Sequence, residues 1–146
     1  MNKEDKYKSL LPQIEALVAG ERDLIANMAN VVALLHETFG FWWTGFYRVD
    51  RDELVLGPFQ GHVACLRIPF GRGVCGTAWQ RRETVIVPDV HEFAGHIACS
   101  SASNSEIVVP VFCDDTVIAL LDIDSTDYDT FDETDKFYLE QMMRLL

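Results

Sequence analysis

The hydrophobic pattern of this 146-residue chain changes its period at Gly40, and this change constrains the fold more than any other feature. Before it, apolar residues recur every three or four positions in two runs, which stop at Gly20 and Gly40. After it, the stretch FWWTGFYRV, which begins at Phe41, is aromatic and β-branched, as strands are. The pattern predicts two leading amphipathic helices, over about residues 3–39, followed by a β-sheet.

Short apolar runs separated by turn residues fill most of the remaining chain. They predict a hairpin over FWWTGFYRV and LVLGPFQ, strands at 66–68, 84–87, 106–113 and 116–124, and short and closing helices at 74–81 and about 131–146. We therefore expect one α+β domain over residues 1–146. Its antiparallel sheet has about six strands within residues 41–125 and is flanked by N-terminal and C-terminal helices.

The charge balance and the apolar runs exclude several classes of protein. Twelve Lys and Arg face 23 Asp and Glu, a net charge of −11, which argues against a nucleic-acid partner because phosphates need clustered cations. No apolar run approaches the roughly 20 residues of a membrane span. Residues 1–11 lack the apolar core of a signal peptide, so we expect a cytoplasmic protein whose four cysteines are reduced thiols.

Three glycines imitate a nucleotide-binding motif. Gly71, Gly73 and Gly76 spell G-x-G-x-x-G, but Pro69 interrupts the preceding strand and no alternating series of strands and helices surrounds the motif. We interpret the segment as a tight turn into a short helix. Cys75 would lie at the N-terminus of that helix, where the helix dipole favours a thiolate.

The four cysteines do not have the spacing of a zinc or dithiol motif, because no two of them form C-x-x-C. Cys113, in an apolar strand, is expected to be a small buried hydrophobe. Cys99 lies in the polar loop sequence IACSSASNS, where burial for packing gains little, and His96 could lower its pKa. A metal shared by His91, His96 and Cys99 is the alternative, but their spacing is atypical, so we expect no metal.

Two pairs of residues share a strand face because side chains alternate along a strand. Trp43 and Tyr47 form an aromatic wall, which fits either a packed core or a pocket for a thioether methyl group. Asp122 and Asp124 extend an apolar row, which fits either a strand end in solvent or a pocket in which at least one carboxyl has a raised pKa. The residues alone leave both alternatives open.

Six segments together resemble the free methionine-(R)-sulfoxide reductases, which are stand-alone GAF-domain enzymes. They are FWWTGFY, LVLGPFQG, ACLRIPFGRGVCGTAW, VPDVH, GHIACSSASNSEIVVP and LLDIDS, and the resemblance covers about Phe41 to Phe131. It implies a single GAF domain that reduces free methionine sulfoxide to methionine. It further implies an intramolecular disulfide that thioredoxin reduces, and no metal, flavin or nicotinamide cofactor.

The resemblance also assigns site residues by position. It implies Cys99 as the nucleophile that becomes a sulfenic acid, Cys65 as the residue that resolves it, and Cys75 as able to join a disulfide. Which of Cys65 and Cys75 acts first stays open. It implies Trp43 and Tyr47 as the aromatic pocket. Glu106, Asp122 and Asp124 form its acidic trio, with Glu106 and Asp124 as proton donors and Asp122 among the substrate ligands.

A non-catalytic GAF module that binds a metabolite and reports redox state through Cys75 and Cys99 is the alternative function. The apolar faces of the leading helices are compatible with a homodimer. The acidic trio also makes a geometric demand. A clean two-residue turn at Asp114-Asp115 would point Glu106 away from Asp122, so we predict a three-residue turn or a bulge that puts Glu106 opposite Asp122.

Overall fold

The computed structural model describes residues 1–97, 99 and 102–146. The elements in chain order are α1 (Lys3–Val18), α2 (Leu24–Phe39), β1 (Trp43–Asp50), β2 (Glu53–Gln60), β3 (Arg67–Pro69), α3 (Gly73–Arg81), β4 (Val85–Val87), a 3₁₀ turn (Val90–Glu92), β5 (Ser105–Cys113), β6 (Thr116–Ser125) and α4 (Glu133–Met143). In this part of the chain the strands form one antiparallel sheet in the order β3-β2-β1-β6-β5-β4. The predicted α+β fold is confirmed. Across the described residues, no helix combines the length and apolar character that crossing a membrane requires.

The leading helices begin and end where the sequence predicts. The side chain of Asn2 accepts a hydrogen bond from the Asp5 N–H at 2.8 Å and caps α1. Asp23 caps α2 in the same way through the N–H of Ala26. Gly40 ends α2 in the left-handed conformation at φ +65°, which glycine adopts without the steric cost that a Cβ brings.

The closing helix is shorter than predicted. It spans Glu133–Met143 instead of about 131–146, and the prediction was wrong at both ends. Asp132 begins it as a reciprocal capping box with Asp135, so Phe131 lies before the first turn and is buried there. The apolar character of Phe131 therefore reflects core packing outside the helix.

The two faces of the sheet have different covers. α1, α2 and α4 pack on one face and bury Tyr7, Ile14, Met28 and Leu35 against it. α3 and the loops around it cover the other face. Because the apolar faces of the leading helices are used inside the chain, they no longer argue for a homodimer, which stays a prediction.

The three glycines of the G-x-G-x-x-G stretch shape the turn from β3 into α3. Gly71 and Gly73 have φ values of +75° and +65°. A Cβ on Gly76 would lie 2.7 Å from the carbonyl oxygen of Pro69, so only glycine fits this approach. β3 pairs with β2 in antiparallel orientation, which differs from the parallel strand context of a dinucleotide site.

The β5–β6 hairpin contains the predicted bulge, but in a different register. Asp114 and Asp115 form a two-residue turn with positive φ at both positions, and the pairing shifts between Val111 and Phe112. The extra residue lies on β6, so Glu106 pairs with Asp124 and not, as predicted, with Asp122. One extra residue on either strand shifts the pairing by one position, which brings Glu106 to the same face as Asp122 and Asp124. The acidic trio therefore shares one face.

A buried ion pair joins the first and last helices on the face opposite α3. The Asp135 carboxylate is fully buried and accepts hydrogen bonds at 2.6 Å from both the Tyr7 hydroxyl and the Lys3 ammonium. The Lys3 ammonium also donates to the backbone carbonyl of Thr130 at 3.0 Å. This cluster fixes α1 on α4.

Replacement of Asp135 by alanine is expected to lower the free energy of unfolding by about 2–4 kcal/mol. The substitution leaves the buried Tyr7 hydroxyl without its acceptor and Lys3 with only the longer ion pair to Asp132, at 3.4 Å. Urea denaturation measures the loss. The matched control is Glu4→Ala, which removes only an exposed pair with Lys8 and should cost less than about 1 kcal/mol. Equal losses in the two variants would contradict the role of the buried cluster.

Candidate active site

A pocket opens on the α3 side of the sheet, between α3, the β2–β3 connection and the loop before β5. Within the described residues it is lined by Trp43, Tyr47, His62, Val63, Ala64, Ile68, Gly73, Val74, Cys75, His96, Ile97, Cys99, Ser103, Glu106, Asp122 and Asp124. Seven of the eight site residues predicted from the sequence belong to this lining. The eighth, Cys65, lies next to Ala64 and is joined to the lining residue Cys99 by a disulfide.

The sheet register explains why residues far apart in sequence meet here. Across β1, β6 and β5, Trp43 pairs with Asp124 and Asp124 pairs with Glu106. Two residues further along β1, and on the same face, Gly45 pairs with Asp122. Because paired residues in adjacent strands present their side chains on the same face, the three strands together present one patch with an aromatic ring and three carboxyl groups.

Cys65 and Cys99 form a disulfide at the mouth of this pocket. Their Cα atoms are 5.4 Å apart, and both residues are half-buried. Cys75 is a free thiol that is only 4% exposed, beneath the pocket. Cys113 is also free but exposed, so its predicted burial was wrong. It is the last residue of β5 and pairs with the exposed Thr116 beside the tight turn, where no helix covers it.

The environment of Cys75 is the opposite of the one predicted. The residue lies in the first turn of α3, but burial raises the pKa of its thiol well above the usual value, and Asp122, Glu106 and Asp124 raise it further. Desolvation and three nearby acids outweigh a helix dipole. Cys75 is therefore a protonated thiol, and the predicted dipole-favoured thiolate is not found.

Two members of the acidic trio are withdrawn from water, and the third, Asp124, is half-buried. Glu106 and Asp122 are each 6% exposed, and the pocket lining described here contains no Lys or Arg to balance their charge. Burial raises the pKa of Glu106 and of Asp124 well above their usual ranges, with Asp122 as the nearest repelling charge, and burial also raises the pKa of Asp122. The trio holds protons that exposed carboxyl groups would lose.

Glu106→Gln is expected to stabilise the folded chain, by an amount that increases with pH. The pKa of Glu106 is higher in the folded chain than in the unfolded chain, so its contribution to stability is lost as pH rises above the ordinary value of 4.5. At neutral pH the variant should gain about 0.5–2 kcal/mol. The measurement is the free energy of unfolding in urea at several pH values. Exposed Glu15→Gln is the control, and a Glu106→Gln gain that does not change with pH would refute the explanation.

The aromatic wall is fixed by two backbone hydrogen bonds. The Trp43 indole N–H donates to the carbonyl of His62, and the Tyr47 hydroxyl donates to the carbonyl of Cys65, each at 2.9 Å. The two ring centroids are 6.0 Å apart. Burial, and next Asp122, raise the pKa of Tyr47 above its usual range, so the phenol stays a donor. Tyr47 thus also holds the backbone of a disulfide cysteine in place.

Several residues that shape the pocket were missed in the sequence. A Cβ on Gly45 or Gly61 would lie 2.5 Å from the Trp43 ring, so both glycines make room for the indole. Ser103 is 7% exposed and lines the pocket beside Asp124. His62 contributes the carbonyl that orients Trp43. No periodicity marks these positions, because each acts through a contact between distant segments.

The loop before β5 changes two expectations about histidines. Burial, and then His91, lower the pKa of His96, so its imidazole is neutral and is not a cation that could favour a Cys99 thiolate. The considered cluster of His91, His96 and Cys99 is not among the groupings with metal-ligand geometry in the described residues. The Cys99 N–H donates to the carbonyl of Ile97 at 3.1 Å.

The fold and this pocket define a GAF domain, and the GAF domain family model matches residues 23–146. Two relatives match almost the whole length of the chain. Free methionine-R-sulfoxide reductase of Escherichia coli (strain K12) is 50% identical, over 100% of this chain and 89% of that protein. GAF domain-containing protein A of Dictyostelium discoideum is 58% identical, over 99% of this chain and 92% of that protein.

A solved structure gives the same result. The X-ray structure of free methionine-R-sulfoxide reductase from Neisseria meningitidis in complex with its substrate is 55% identical, with a TM-score of 0.97. The match covers 99% of this chain and 88% of that chain. The present chain therefore belongs to the free methionine-R-sulfoxide reductase family, a family of oxidoreductases.

Proposed function

We propose that this protein reduces free methionine (R)-sulfoxide to methionine with electrons from its own thiols. The observation that carries the proposal is the Cys65–Cys99 disulfide beside a pocket that contains both an aromatic wall and buried acids. A sulfoxide needs a soft nucleophile at sulfur and protons for the oxygen that leaves. Relatives of 43–50% identity that bear the reductase name support the same substrate.

Cys99 is the nucleophile of the proposed reaction. In the reduced protein its sulfur attacks the sulfoxide sulfur while a carboxyl group protonates the sulfoxide oxygen. The substrate S–O bond and the transient S–S bond then break as the hydroxyl moves to the Cys99 sulfur, and the Cys99 thiol proton restores the carboxyl group. The products are methionine and a Cys99 sulfenic acid. The sulfenic acid then condenses with the Cys65 thiol, which forms the disulfide and releases water. The observed pairing supports Cys65 as the residue that resolves the sulfenic acid.

The carboxyl groups of the pocket supply the protons of the first step. Glu106 and Asp124 are the proton donors in this scheme, because their raised pKa values keep them protonated when the sulfoxide oxygen needs a proton. Asp122 binds the substrate ammonium, which provides the positive charge that the pocket lining lacks. Trp43 and Tyr47 surround the thioether methyl group.

Cys75 has a secondary place in the scheme. Its thiol is buried and protonated, so it is a poorer first nucleophile than a half-buried cysteine at the pocket mouth. It lies in the same pocket lining as Cys99, which keeps it available for a disulfide after a conformational change.

An external dithiol completes the cycle. Thiol exchange with thioredoxin reduces the Cys65–Cys99 disulfide and oxidises the thioredoxin dithiol, and the half-buried disulfide is open to such an attack. The scheme needs no metal, flavin or nicotinamide on this protein. Because dithiol reductants are kept reduced in the cytoplasm, we assign the reaction to that compartment.

The test is NADPH consumption by thioredoxin and thioredoxin reductase in the presence of a chelator. Free methionine (R)-sulfoxide should support continuous turnover, while the (S) epimer and methionine should not. The Cys113→Ser variant is the matched control, since that exposed thiol lies outside the pocket, and it should keep full turnover. Loss of thiols without turnover would refute the proposal and favour a redox-reporting GAF module.

A further inference from the structure

Three buried acids of different chemistry meet at the floor of the pocket. The sulfur of Cys75 and carboxylate oxygens of Glu106 and Asp122 all lie within 4.8 Å of one another, and all three residues are buried. Asp124 adjoins the group through both carboxyl neighbours. One sulfur and two or three oxygens around a common point have the size and composition of a metal-ligand set.

Two further observations favour binding of a cation at this cluster. The Asp122 Oδ1 atom is buried and has no hydrogen-bond partner with ordinary geometry among the described residues, on a side chain that is 94% buried. The pocket lining contains no Lys or Arg in the same part of the chain. The neighbours of Asp122 at this cluster are the Cys75 thiol and the carboxyl groups of Glu106 and Asp124, none of which carries a positive charge. A buried carboxylate without a counterion is costly unless a positive ligand binds it.

We infer that Cys75, Glu106 and Asp122 form a binding site for a thiophilic divalent cation of the zinc class. Thiolate sulfur favours Zn²⁺ over Mg²⁺ or Ca²⁺, and carboxylate oxygens are accepted Zn²⁺ ligands beside it. The site is inhibitory, because the cation and the substrate ammonium would use the same Asp122 carboxylate. Only this competition rests on the proposed function; cation binding itself does not.

Binding at this site displaces protons. Sulfur binds such a cation as a thiolate, so the cation must displace the proton of the Cys75 thiol, and affinity should rise with pH.

The site does not depend on the redox state of the disulfide. Cys75 is outside the Cys65–Cys99 pair, and the other free thiol, Cys113, is exposed. In the oxidised protein these are the two remaining thiols, so a cation bound to sulfur has only two candidate positions. The oxidised form therefore allows a test without turnover.

The experiment titrates the oxidised full chain with Cd²⁺ and follows the ultraviolet thiolate–cadmium absorption, with Zn²⁺ calorimetry in two buffers of different ionisation enthalpy. We expect one ion per chain and release of at least one proton per ion, from the Cys75 thiol. The Cys113→Ser variant should leave the number of bound ions and the proton release unchanged. The Cys75→Ser variant should abolish the thiolate–cadmium absorption. Asp122→Asn keeps the thiol and should weaken Zn²⁺ binding about tenfold or more.

Absorption that survives Cys75→Ser and disappears in Cys113→Ser would overturn the inference, as would the absence of any thiolate–cadmium band in the oxidised wild type. Free methionine should weaken Zn²⁺ binding in proportion to its concentration. If Zn²⁺ binds with the predicted variant pattern but methionine does not compete, the cation site stands and the placement of substrate at Asp122 fails. The chelated turnover assay tests the proposed function independently.

Discussion

Cys99→Ser is expected to abolish both catalytic turnover and the first stoichiometric reduction of the sulfoxide. The first reduction needs only a thiol that attacks sulfur, so loss of the nucleophile removes it even when no external reductant is present. The expected loss is about 10⁴-fold or more, the scale seen when a catalytic nucleophile is removed. The measurement is methionine formed by pre-reduced protein in a single turnover, with Cys113→Ser as the matched control.

Cys65→Ser separates chemistry from recycling. It should still form one equivalent of methionine, because Cys99 is intact, but it should lose turnover with thioredoxin since no Cys65–Cys99 disulfide can form. If Cys99→Ser formed one equivalent of methionine, the nucleophile would be Cys75. If Cys65→Ser turned over normally, its resolving role would be refuted.

Most of the fold could be predicted because its signals are local. The leading helices end at glycines and begin at Asn and Asp caps, and these interactions span only three or four residues. The bulge in the β5–β6 hairpin could also be inferred, because only a bulge or a longer turn brings the acidic trio to one face. Its position on β6 could not, since bulges on the two strands restore the same parity. The start of α4 was misplaced because Phe131 fits the apolar spacing of the helix, whereas the helix begins only after the cap residue Asp132.

The site was less predictable because its chemistry depends on contacts between distant segments. The N-terminal position of Cys75 in α3 is local, but the burial and the three carboxyl groups that raise its pKa come from the tertiary fold. Exposure of Cys113 likewise depends on the absence of a covering element at the end of β5. Gly45 and Gly61 are ordinary strand and turn glycines until the Trp43 indole lies against them. The resemblance implies the reacting residues, which stay a prediction, and the fold supplies their environment.

The pocket also supports the prediction that the substrate is a zwitterion. The described lining provides negative charge through Asp122 and no cationic side chain, whereas Asp124 has a raised pKa and is a proton donor in the proposed scheme. The substrate ammonium fits this charge, and we predict from the sequence that its carboxylate binds backbone N–H groups in residues 97–100. In that segment Ile97 and Cys99 are described, whereas Ala98 and Ser100 lie outside the described residues. The carboxylate contact and the ammonium contact both stay predictions, and the electrostatics of the site support the ammonium contact.

Free methionine sulfoxide should therefore be reduced much faster than its N-acetyl or peptide-bound forms. Acetylation removes the ammonium charge and leaves Asp122 buried without a counterion, and sites built around such polar pairs reject analogues by roughly 10⁴-fold. The measurement is kcat/KM for the free amino acid and the N-acetyl amide at the same thioredoxin supply. The Asp122→Asn variant sharpens the test, because it removes the charge that binds the ammonium. The ratio of kcat/KM for the free amino acid to kcat/KM for the N-acetyl amide should fall, mainly because the free amino acid is reduced more slowly. Equal kcat/KM values in the wild type would mean that the pocket accepts a flanking chain, and the ammonium assignment of Asp122 would be wrong.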